Sequence, residues 1–205
     1  MSDRIDFLTP VGRLVQGSPF EPQTTDAEGN PLVIKNGPNA GQPRVDYYMA
    51  IAIPKTDPGW NEIWGKIQQA AQLGFPGGQF NAPKFAWKYI DGDGVDANGK
   101  PYADRDGFAG CQILKFSGGD QPKCYPAGGA EQIVDPNGIK RGYYIRIYGS
   151  VSGNKSQQQP GVDLNHSMVE LIGYGEEITS GPDGAAIFGN APAAQLPAGA
   201  SATPV

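Results

Sequence analysis

The segment from residue 142 to residue 151, GYYIRIYGSV, alternates its side chains at the two-residue period of a β-strand. On such a strand one face carries Tyr143, Ile145 and Ile147, which suit a core. The opposite face carries Tyr144, Arg146 and Tyr148. Rings beside a guanidinium can stack nucleic-acid bases, at roughly 1–3 kcal/mol per base, and neutralise phosphates. The alternative is that the tyrosines only cover a sheet, because aromatic residues favour strands in any context.

Three other segments also combine rings with cations. In the first of them the two types interleave as Lys84, Phe85, Trp87, Lys88 and Tyr89. The other two carry the pairs Lys115–Phe116 and Lys123–Tyr125. Where rings of this kind face a core, the lysines are left to solvent or phosphate. The strand patterns therefore predict nucleic-acid contacts from Lys88, Lys115, Phe116, Lys123, Tyr125 and Tyr148.

A cluster of acids offers a different chemistry. It contains Asp91, Asp93, Asp96 and Asp104. A calcium-binding EF-hand loop that began at Asp91 would need a ligand at its fifth position and glycine at its sixth. These positions hold Val95 and Asp96, so the EF-hand pattern fails. The cluster predicts a turn-rich loop, and a metal-dependent nuclease using these four acids is the alternative.

Other enzyme signatures are missing from the sequence. The single histidine, His166, cannot supply a two-histidine metal site and is predicted to be structural. No G-x-S-x-G motif, Walker A loop or HExxH motif occurs. We therefore predict that the protein is not an enzyme and that it uses no metal or other cofactor.

The net charge of −5 does not decide for or against nucleic-acid binding. All 16 basic residues lie in the first 159 residues, where they balance 16 acids. The field at a surface depends on how charges are arranged and not on their sum. No apolar run approaches the roughly 20 residues that span a bilayer, and the N-terminus lacks a signal-peptide pattern. These features predict a cytoplasmic protein without membrane contacts.

Short strands and one helix must position these residues, because 30 glycines and 19 prolines favour many turns. Strands are predicted over residues 7–20, 44–53, 84–90, 111–116, 142–151 and 166–174, the first interrupted at Pro10 and Gly12. A helix is predicted with Asp57 as its cap, Pro58 at its first position and Gly74 at its end. The pattern predicts a mainly β fold, an OB-fold-like five-stranded barrel with one prominent helix and turn-rich insertions.

The composition divides the chain into two parts. Residues 1–178 contain the strand and helix patterns and are predicted to form one domain. Residues 179–205 are rich in glycine, alanine and proline and cannot bury enough apolar area to offset their ordering entropy. We predict a flexible C-terminal tail there.

Several short motifs occur in an order that is similar to a known family. They are Thr9-Pro-x-Gly-Arg13, Tyr48 with Pro54-Lys55, the helix with Trp60, Asp91-Gly-Asp-Gly94, Gly142-Tyr-Tyr-x-Arg146 and Gly153-Asn-Lys155. By their order and spacing, residues 7 to 178 resemble phage single-stranded DNA-binding proteins, which have an OB-fold. These are related to the gene 2.5-type replication proteins of T7-like phages.

The resemblance implies a protein that coats and protects single-stranded DNA in the cytoplasm of the bacterial host. Phage DNA replication, recombination or repair would be its setting, without sequence preference and without a cofactor. The resemblance implies DNA contacts from Arg13, Tyr48, Lys55, Tyr144, Arg146 and Lys155. Phage replication proteins and further copies of the chain are candidate partners.

Two features limit what the resemblance implies. Such proteins often end in an acidic tail with a terminal aromatic residue, whereas the last acid of this chain is Asp183 and its last residue is Val205. A phage structural or assembly protein without nucleic-acid affinity is the main alternative, because a Gly/Pro-rich β-domain with an Ala/Pro tail would also serve there.

Overall fold

The computed structural model describes residues 4–26, 29–34, 38–154 and 156–179. Within these ranges the strands are β1 (Ile5–Leu8), β2 (Gly12–Gly17), β3 (Tyr47–Pro54), β4 (Tyr89–Asp91), β5 (Cys111–Gly118), β6 (Lys123–Pro126), β7 (Tyr144–Gly153) and β8 (Val162–Gly173). The α-helix described, α1, spans Trp60–Gly74, and short 3-10 helices span Gln79–Asn81 and Tyr102–Asp104.

The strands form one sheet that curls into a barrel. Neighbours follow the order β4-β5-β3-β2-β7-β8-β6, and β1 pairs with β7. The pairs are antiparallel except β6 with β8. Since β5 also packs against β8, the sheet closes on itself. The predicted mainly β, OB-fold barrel with one helix is confirmed, while β6 was not predicted.

β1 and β2 are two halves of one interrupted strand. β1 pairs with β7 alone, whereas β2 pairs with both β7 and β3. Thr9 lies buried at the break, where its hydroxyl accepts a hydrogen bond from the backbone N–H of Ile147 at 2.9 Å. The backbone N–H of Thr9 in turn donates to the carbonyl oxygen of Ile147 at 3.0 Å. The predicted interruption is thereby confirmed at Pro10, whereas Gly12 is already the first residue of β2.

The core fills the barrel and the space beneath α1. Alternate residues of β3, β5 and β7 point inward, and those buried are Met49, Ile51, Ile53, Leu114, Phe116, Ile145 and Ile147. A second, smaller cluster lies on the outer side of β2, β3 and β5 and contains Val15, Ala50, Ala52, Phe108 and Ile113. The barrel wall is therefore covered on part of its outside as well.

Helix α1 begins two residues later than predicted. The side chain of Asp57 accepts a hydrogen bond from the backbone N–H of Gly59 at 2.8 Å, which stabilises a turn before the helix. Gly59 is the N-cap, so Pro58 does not occupy the first helical position. The helix ends at Gly74 as predicted, and it buries Ile63 and Ile67 against the barrel.

The segment before β4 also differs from the prediction. Residues 84–88 are not a strand, because Lys88 adopts a φ of 57° that breaks the alternation, and β4 covers only Tyr89–Asp91. The rings nevertheless face the core side, where Phe85 is buried and Trp87 packs beside it. Strand β8 begins at Val162, four residues before the predicted start.

Two predictions concern the ends of the chain and the membrane. The predicted tail, residues 179–205, lies outside the described residues from position 180 onward. Among the residues described, none of the helices is long and apolar enough to cross a membrane.

Candidate nucleic-acid interface

The first surface of interest is the outer side of β2, β3 and β5, which we call the β3–β5 face. Its aromatic residue is Tyr48, whose hydroxyl donates to the side-chain oxygen of Gln16 on β2 at 3.1 Å. The ring is half-buried beside the small residues Ala50 and Ala52. Burial raises the pKa of Tyr48 to about 12, so the phenol stays neutral well above physiological pH. The ring is therefore held in place and carries no charge that would repel a phosphate.

The local backbone around Tyr48 depends on one glycine. A bulge between Leu14 and Gln16 interrupts the pairing of β2 with β3, and Gly17, the last residue of β2, has a φ of 75°. A Cβ at this position would overlap the carbonyl oxygen of Tyr48. Glycine thus allows β2 to turn away tightly at the position where the ring of Tyr48 lies.

Three cations lie together on the same face. Lys115 of β5 stands opposite Ala50, two residues along β3 from Tyr48. The pKa of Lys115 is lowered by burial, and further by the positive charges of Lys88 and Arg105. Neither Lys88 nor Lys115 forms an ion pair with any described acid. Two neighbouring lysines without an acidic partner, one of them half-buried, favour an incoming anion.

Arg105 comes from the long loop between β4 and β5. Its guanidinium lies over the ring of Tyr102 at 4.9 Å and over that of Phe108 at 5.7 Å. It also approaches the carboxylate of Asp96 at 3.7 Å. Phe108 is buried in the outer cluster, so it anchors the loop against β2, β3 and β5. The loop therefore forms one wall of the β3–β5 face and fixes a guanidinium on it.

The acids of this loop hold it closed. Lys55, at the end of β3, forms ion pairs with Asp91 and with Asp93, the latter at 2.8 Å. Asp93 also accepts a hydrogen bond from the backbone N–H of Gly110 at 2.7 Å. These partners lower the pKa of both carboxyls and raise the pKa of Lys55. The loop passes so close to itself that a Cβ at Gly92 would overlap the carbonyl oxygen of Phe108.

A third acid of the cluster is engaged by the backbone. Asp96 accepts hydrogen bonds from the N–H groups of Asn98 and Lys100, at 2.8 and 3.0 Å, which lower its pKa. These contacts make the turn-rich loop that the sequence predicts. No group of three or more potential ligands that could hold a metal ion occurs among the residues described.

Two of the residues implied by the resemblance are engaged inside the protein. Lys55 is paired with acids, as described above. The Arg13 guanidinium donates to the carbonyl of Gly142 at 3.1 Å and to that of Glu176 at 2.8 Å. It thereby holds the chain after β8 against β2. Their geometry suits positioning of neighbouring segments.

One predicted contact residue has no access to a ligand. Phe116 is fully buried and its ring packs against Phe7 at 6.1 Å. The prediction that it contacts DNA is not compatible with this position, because a base cannot stack on a ring that has no exposed face. Phe116 points inward since its neighbour Lys115 points outward on the same strand. Lys155 lies outside the described residues.

A second set of predicted residues lies on another side of the barrel. We call the outer side of β7 and β8 the β7–β8 patch and define it by Tyr144, Arg146, Tyr148, Met168, Glu170 and Ile172. Lys123 and Tyr125 of β6 stand beside it, opposite Met168 and Glu170. The sequence pattern of β7 therefore predicted its two faces correctly, but its outer face is separate from the β3–β5 face.

The cation of the β7–β8 patch is neutralised within the chain. Arg146 donates to the carboxylate of Glu170 from Nε at 2.9 Å and from a terminal nitrogen at 2.5 Å. Glu170 also accepts from the backbone N–H of Gly128 at 3.0 Å, and both contacts lower its pKa. The pair leaves little net charge to attract a phosphate.

His166 lies at the seam where β5 meets β8. Its Nε2 donates to the carbonyl of Tyr47 at 2.7 Å, and its ring packs against Gly118. Burial lowers its pKa despite this hydrogen bond and the nearby carboxylates of Asp46 and Asp120. His166 thus links β8 to the residue before Tyr48, a structural role as predicted.

Arg105 and Gln16 are the site residues that sequence reasoning missed. Arg105 stands between Asp104 and Asp106, so its segment reads as acidic. The fold directs its guanidinium to the rings of Tyr102 and Phe108, with the carboxylate of Asp96 at 3.7 Å. The signal that could have found Arg105 is the buried Phe108 three residues later, which draws this part of the loop onto the sheet.

Comparison with known proteins gives structural but no sequence matches. No protein-family model matches the chain, and no curated protein matches its sequence. A C-terminally truncated single-stranded DNA-binding protein from bacteriophage Enc34 has a similar structure, with a TM-score of 0.58 and 17% identity over 83% of this chain and 87% of that one.

Two further structures are similar over most of their length. The Enc34 protein in complex with single-stranded DNA gives a TM-score of 0.56 at 16% identity, covering 84% of this chain and 88% of that one. The single-stranded DNA-binding protein gp2.5 of bacteriophage T7 gives 0.52 at 16% identity, covering 95% and 99%. The chain therefore has the fold of these phage proteins, as the resemblance in sequence implied.

Proposed function

We propose that this protein binds single-stranded DNA on its β3–β5 face and performs no chemistry on it. The observation that carries the proposal is the ring of Tyr48 beside the three cations Lys88, Arg105 and Lys115. OB-fold proteins bind oligonucleotides on the face of their second and third strands. In this barrel β3 and β5 occupy those places.

The arrangement suits a single strand without sequence preference. The cations neutralise phosphates and release counterions, so the affinity falls as salt rises. A base that has left its helix can stack on Tyr48, since every base offers a flat face to a ring. Bases of a duplex are already stacked and paired, so they gain little stacking energy from the same ring. The similar Enc34 structure bound to single-stranded DNA supports this assignment.

The proposal divides the predicted contact residues by role. Lys88, Lys115 and Tyr48 contact DNA, and Arg105 joins them. Arg13 and Lys55 position the segments around the face. Lys155 stays a candidate contact, because it lies in sequence between β7 and β8, a loop that OB-folds use for nucleic acid.

The biological role follows from the same binding. A protein of this kind coats and protects single-stranded DNA in the cytoplasm of the bacterial host during phage replication, recombination or repair. It needs no cofactor for that role, since holding the strand open requires only stacking and charge.

A titration of fluorescently labelled oligo-dT, with a duplex of equal length, tests the proposal at about 50 and 200 mM salt. We expect tighter binding to oligo-dT and a steep loss of affinity with salt. The substitution Lys115→Gln should reduce the salt slope by about 1, as expected for the loss of one phosphate contact. The matched control, Lys123→Gln on β6, should leave the slope unchanged.

Other results would contradict the proposal in distinct ways. An absence of binding at low salt would favour the assembly-protein alternative. Cleavage of the oligonucleotide after addition of magnesium, abolished by Asp93→Asn, would favour the nuclease. Equal effects of the two lysine substitutions would place the DNA elsewhere.

A further inference from the structure

An open hollow lies beside Tyr48, on the side of the ring that is away from the lysines of the β3–β5 face. Its volume of about 610 Å³ lies within the range of roughly 300–1,000 Å³ that is typical of small-molecule sites. Tyr48 and Leu32 contribute apolar lining, whereas Gln23 and Asp46 contribute polar lining. A flat ring beside a roomy, partly polar hollow suits a single base that has left its stack.

The walls of this hollow are fixed by backbone pairing. Gln23 and Asp46 exchange two backbone hydrogen bonds, at 2.8 and 3.0 Å. The N–H of Leu32 donates to the carbonyl of Thr24 at 2.7 Å, and the N–H of Arg44 donates to the carbonyl of Leu32 at 2.8 Å. The hollow is therefore formed before a ligand arrives, which reduces the ordering cost of binding.

The charge changes sign along β3 from one side of Tyr48 to the other. Asp46 lies two residues before Tyr48. Lys115 stands opposite Ala50, two residues after Tyr48, and each such step of two residues spans about 7 Å. Of the described residues that line the hollow, Asp26 and Asp46 are acids and none is basic. A phosphate is therefore drawn to the lysine side, which leaves the base of the same nucleotide to enter the hollow.

Asp46 has a hydrogen-bond acceptor to spare. Its Oδ2 accepts from a terminal nitrogen of Arg44 at 3.0 Å, whereas its Oδ1 is buried without a hydrogen-bond partner among the described residues. The terminal torsion of an aspartate is broad, so either oxygen can turn toward the hollow. An unsatisfied buried acceptor costs free energy, which a donor on an incoming base would offset. The other acid, Asp26, already accepts from the backbone and side-chain nitrogens of Asn30.

A carboxylate distinguishes bases by the group that they present. Cytosine carries an amino group at C4, which a carboxylate accepts, whereas thymine and uracil carry a carbonyl oxygen there, which a carboxylate repels. We propose that the hollow takes one base of the bound strand and that Asp46 accepts a hydrogen bond from its amino group, so that cytosine is preferred to thymine or uracil. This inference rests on the proposed function. It adds a bias at one position of a site that otherwise accepts any sequence.

Titration of fluorescently labelled oligo-dC and oligo-dU, at a length that holds one protein, tests the inference. The two bases differ at C4 and in the proton on the adjoining N3, and neither carries the methyl group of thymine. At pH 7.5 and about 50 mM salt, wild type should bind oligo-dC about tenfold more tightly, as expected for one hydrogen bond to a charged acceptor. His166, on which the charge of Asp46 acts, is neutral at this pH because its pKa lies below 6.5.

Two variants locate the source of the preference. Asp46→Asn should remove it, because an amide offers both a donor and an acceptor and therefore pairs with uracil as well as with cytosine. Arg44→Gln is the matched control, since it breaks the same ion pair but keeps the carboxylate, so the preference for oligo-dC should persist. Circular dichroism checks that both variants fold.

The outcomes separate this inference from the proposed function. Equal affinity of wild type for the two oligonucleotides would overturn the inference and leave single-stranded DNA binding intact. A preference that Asp46→Asn leaves unchanged, or one that Arg44→Gln also removes, would overturn it too, because the carboxylate would not be its source. Failure to bind either oligonucleotide at low salt would remove the proposed function itself, and this inference with it.

Discussion

Two outer surfaces of this barrel combine tyrosines with basic residues, yet their chemistry differs. On the β3–β5 face, Lys88 and Lys115 have no acidic partner among the described residues, and the pKa of Lys115 is lowered by burial and further by the charge of Lys88. On the β7–β8 patch, Arg146 is paired with Glu170. An alternation of rings and cations along a strand therefore does not by itself identify a nucleic-acid site. Whether a cation is paired with an acid from a neighbouring strand decides whether it can attract a phosphate.

The two surfaces also differ in what surrounds them. The loop between β4 and β5 stands over the β3–β5 face, and residues 22–26 with Leu32 line a hollow on the other side of Tyr48. A flexible strand can lie between these walls. The β7–β8 patch offers instead a shallow depression whose lining includes Leu8, Tyr125, Tyr148 and Met168.

The largest expected effect comes from the ring of the β3–β5 face. Tyr48→Ala should weaken binding to oligo-dT by about 5- to 150-fold, because stacking contributes roughly 1–3 kcal/mol per base. The loss should be similar at low and high salt, since a neutral ring contributes no counterion release. Fluorescence anisotropy at two salt concentrations measures it.

The half-buried position of Tyr48 requires a control for folding. Tyr48→Phe removes only the hydrogen bond to Gln16 and keeps the ring, so it should retain most of the affinity. If Tyr48→Phe lost as much affinity as Tyr48→Ala, the hydroxyl and not the stacked ring would be responsible, and the comparison between the two surfaces would need revision.

Much of the fold could be predicted from the sequence, since period-two patterns such as those of β3 and β7 follow directly from burial of one face. The helix was placed by its apolar stripe. Its start was misjudged, because an aspartate caps a helix and an isolated turn by the same type of hydrogen bond. Strand β6 was missed, since four residues are too short to show alternation and its pairing with β8 is non-local.

The site was harder to predict, because its members come together only through long-range pairing. Tyr48 and Lys115 are 67 positions apart and meet through the register of β3 with β5. Arg146 looked available along β7, and its neutralisation by Glu170 depends on the register of β8. Sequence reasoning identified the right residue types but could not distinguish paired cations from unpaired ones.

A smaller effect, on the stability of the fold, should appear when His166 is titrated. His166 belongs to β8 and holds the backbone of Tyr47, next to the ring of the β3–β5 face. Its folded pKa lies below the ordinary value of 6.5. The unfolded chain therefore binds the proton first as pH falls, so the stability that neutral His166 provides is present above pH 6.5 and lost as pH falls through the folded pKa.

Urea unfolding between pH 7.5 and pH 5 measures this loss. Wild type should show a falling midpoint over that range, and His166→Gln should show a smaller fall, since its amide can donate to the Tyr47 carbonyl but does not titrate. Asp46 and Asp120, whose charges act on the ring, are present in both proteins, so the difference between the two curves isolates the histidine. Parallel curves for the two proteins would contradict the prediction, because they would show that protonation of His166 does not change the stability of the fold over this range.

The smallest effect on DNA is expected from the ring that the strand pattern first favoured. Tyr148→Ala should change the affinity for an oligonucleotide that holds one protein by less than about twofold, or roughly 0.4 kcal/mol. The reason is that Tyr148 lies beside a neutralised guanidinium, on the flank away from Lys115 and Arg105. A large loss of DNA affinity from Tyr148→Ala, with no loss from Tyr48→Ala, would reverse the roles of the two surfaces, because it would show that stacking on β7 outweighs the cations of the β3–β5 face.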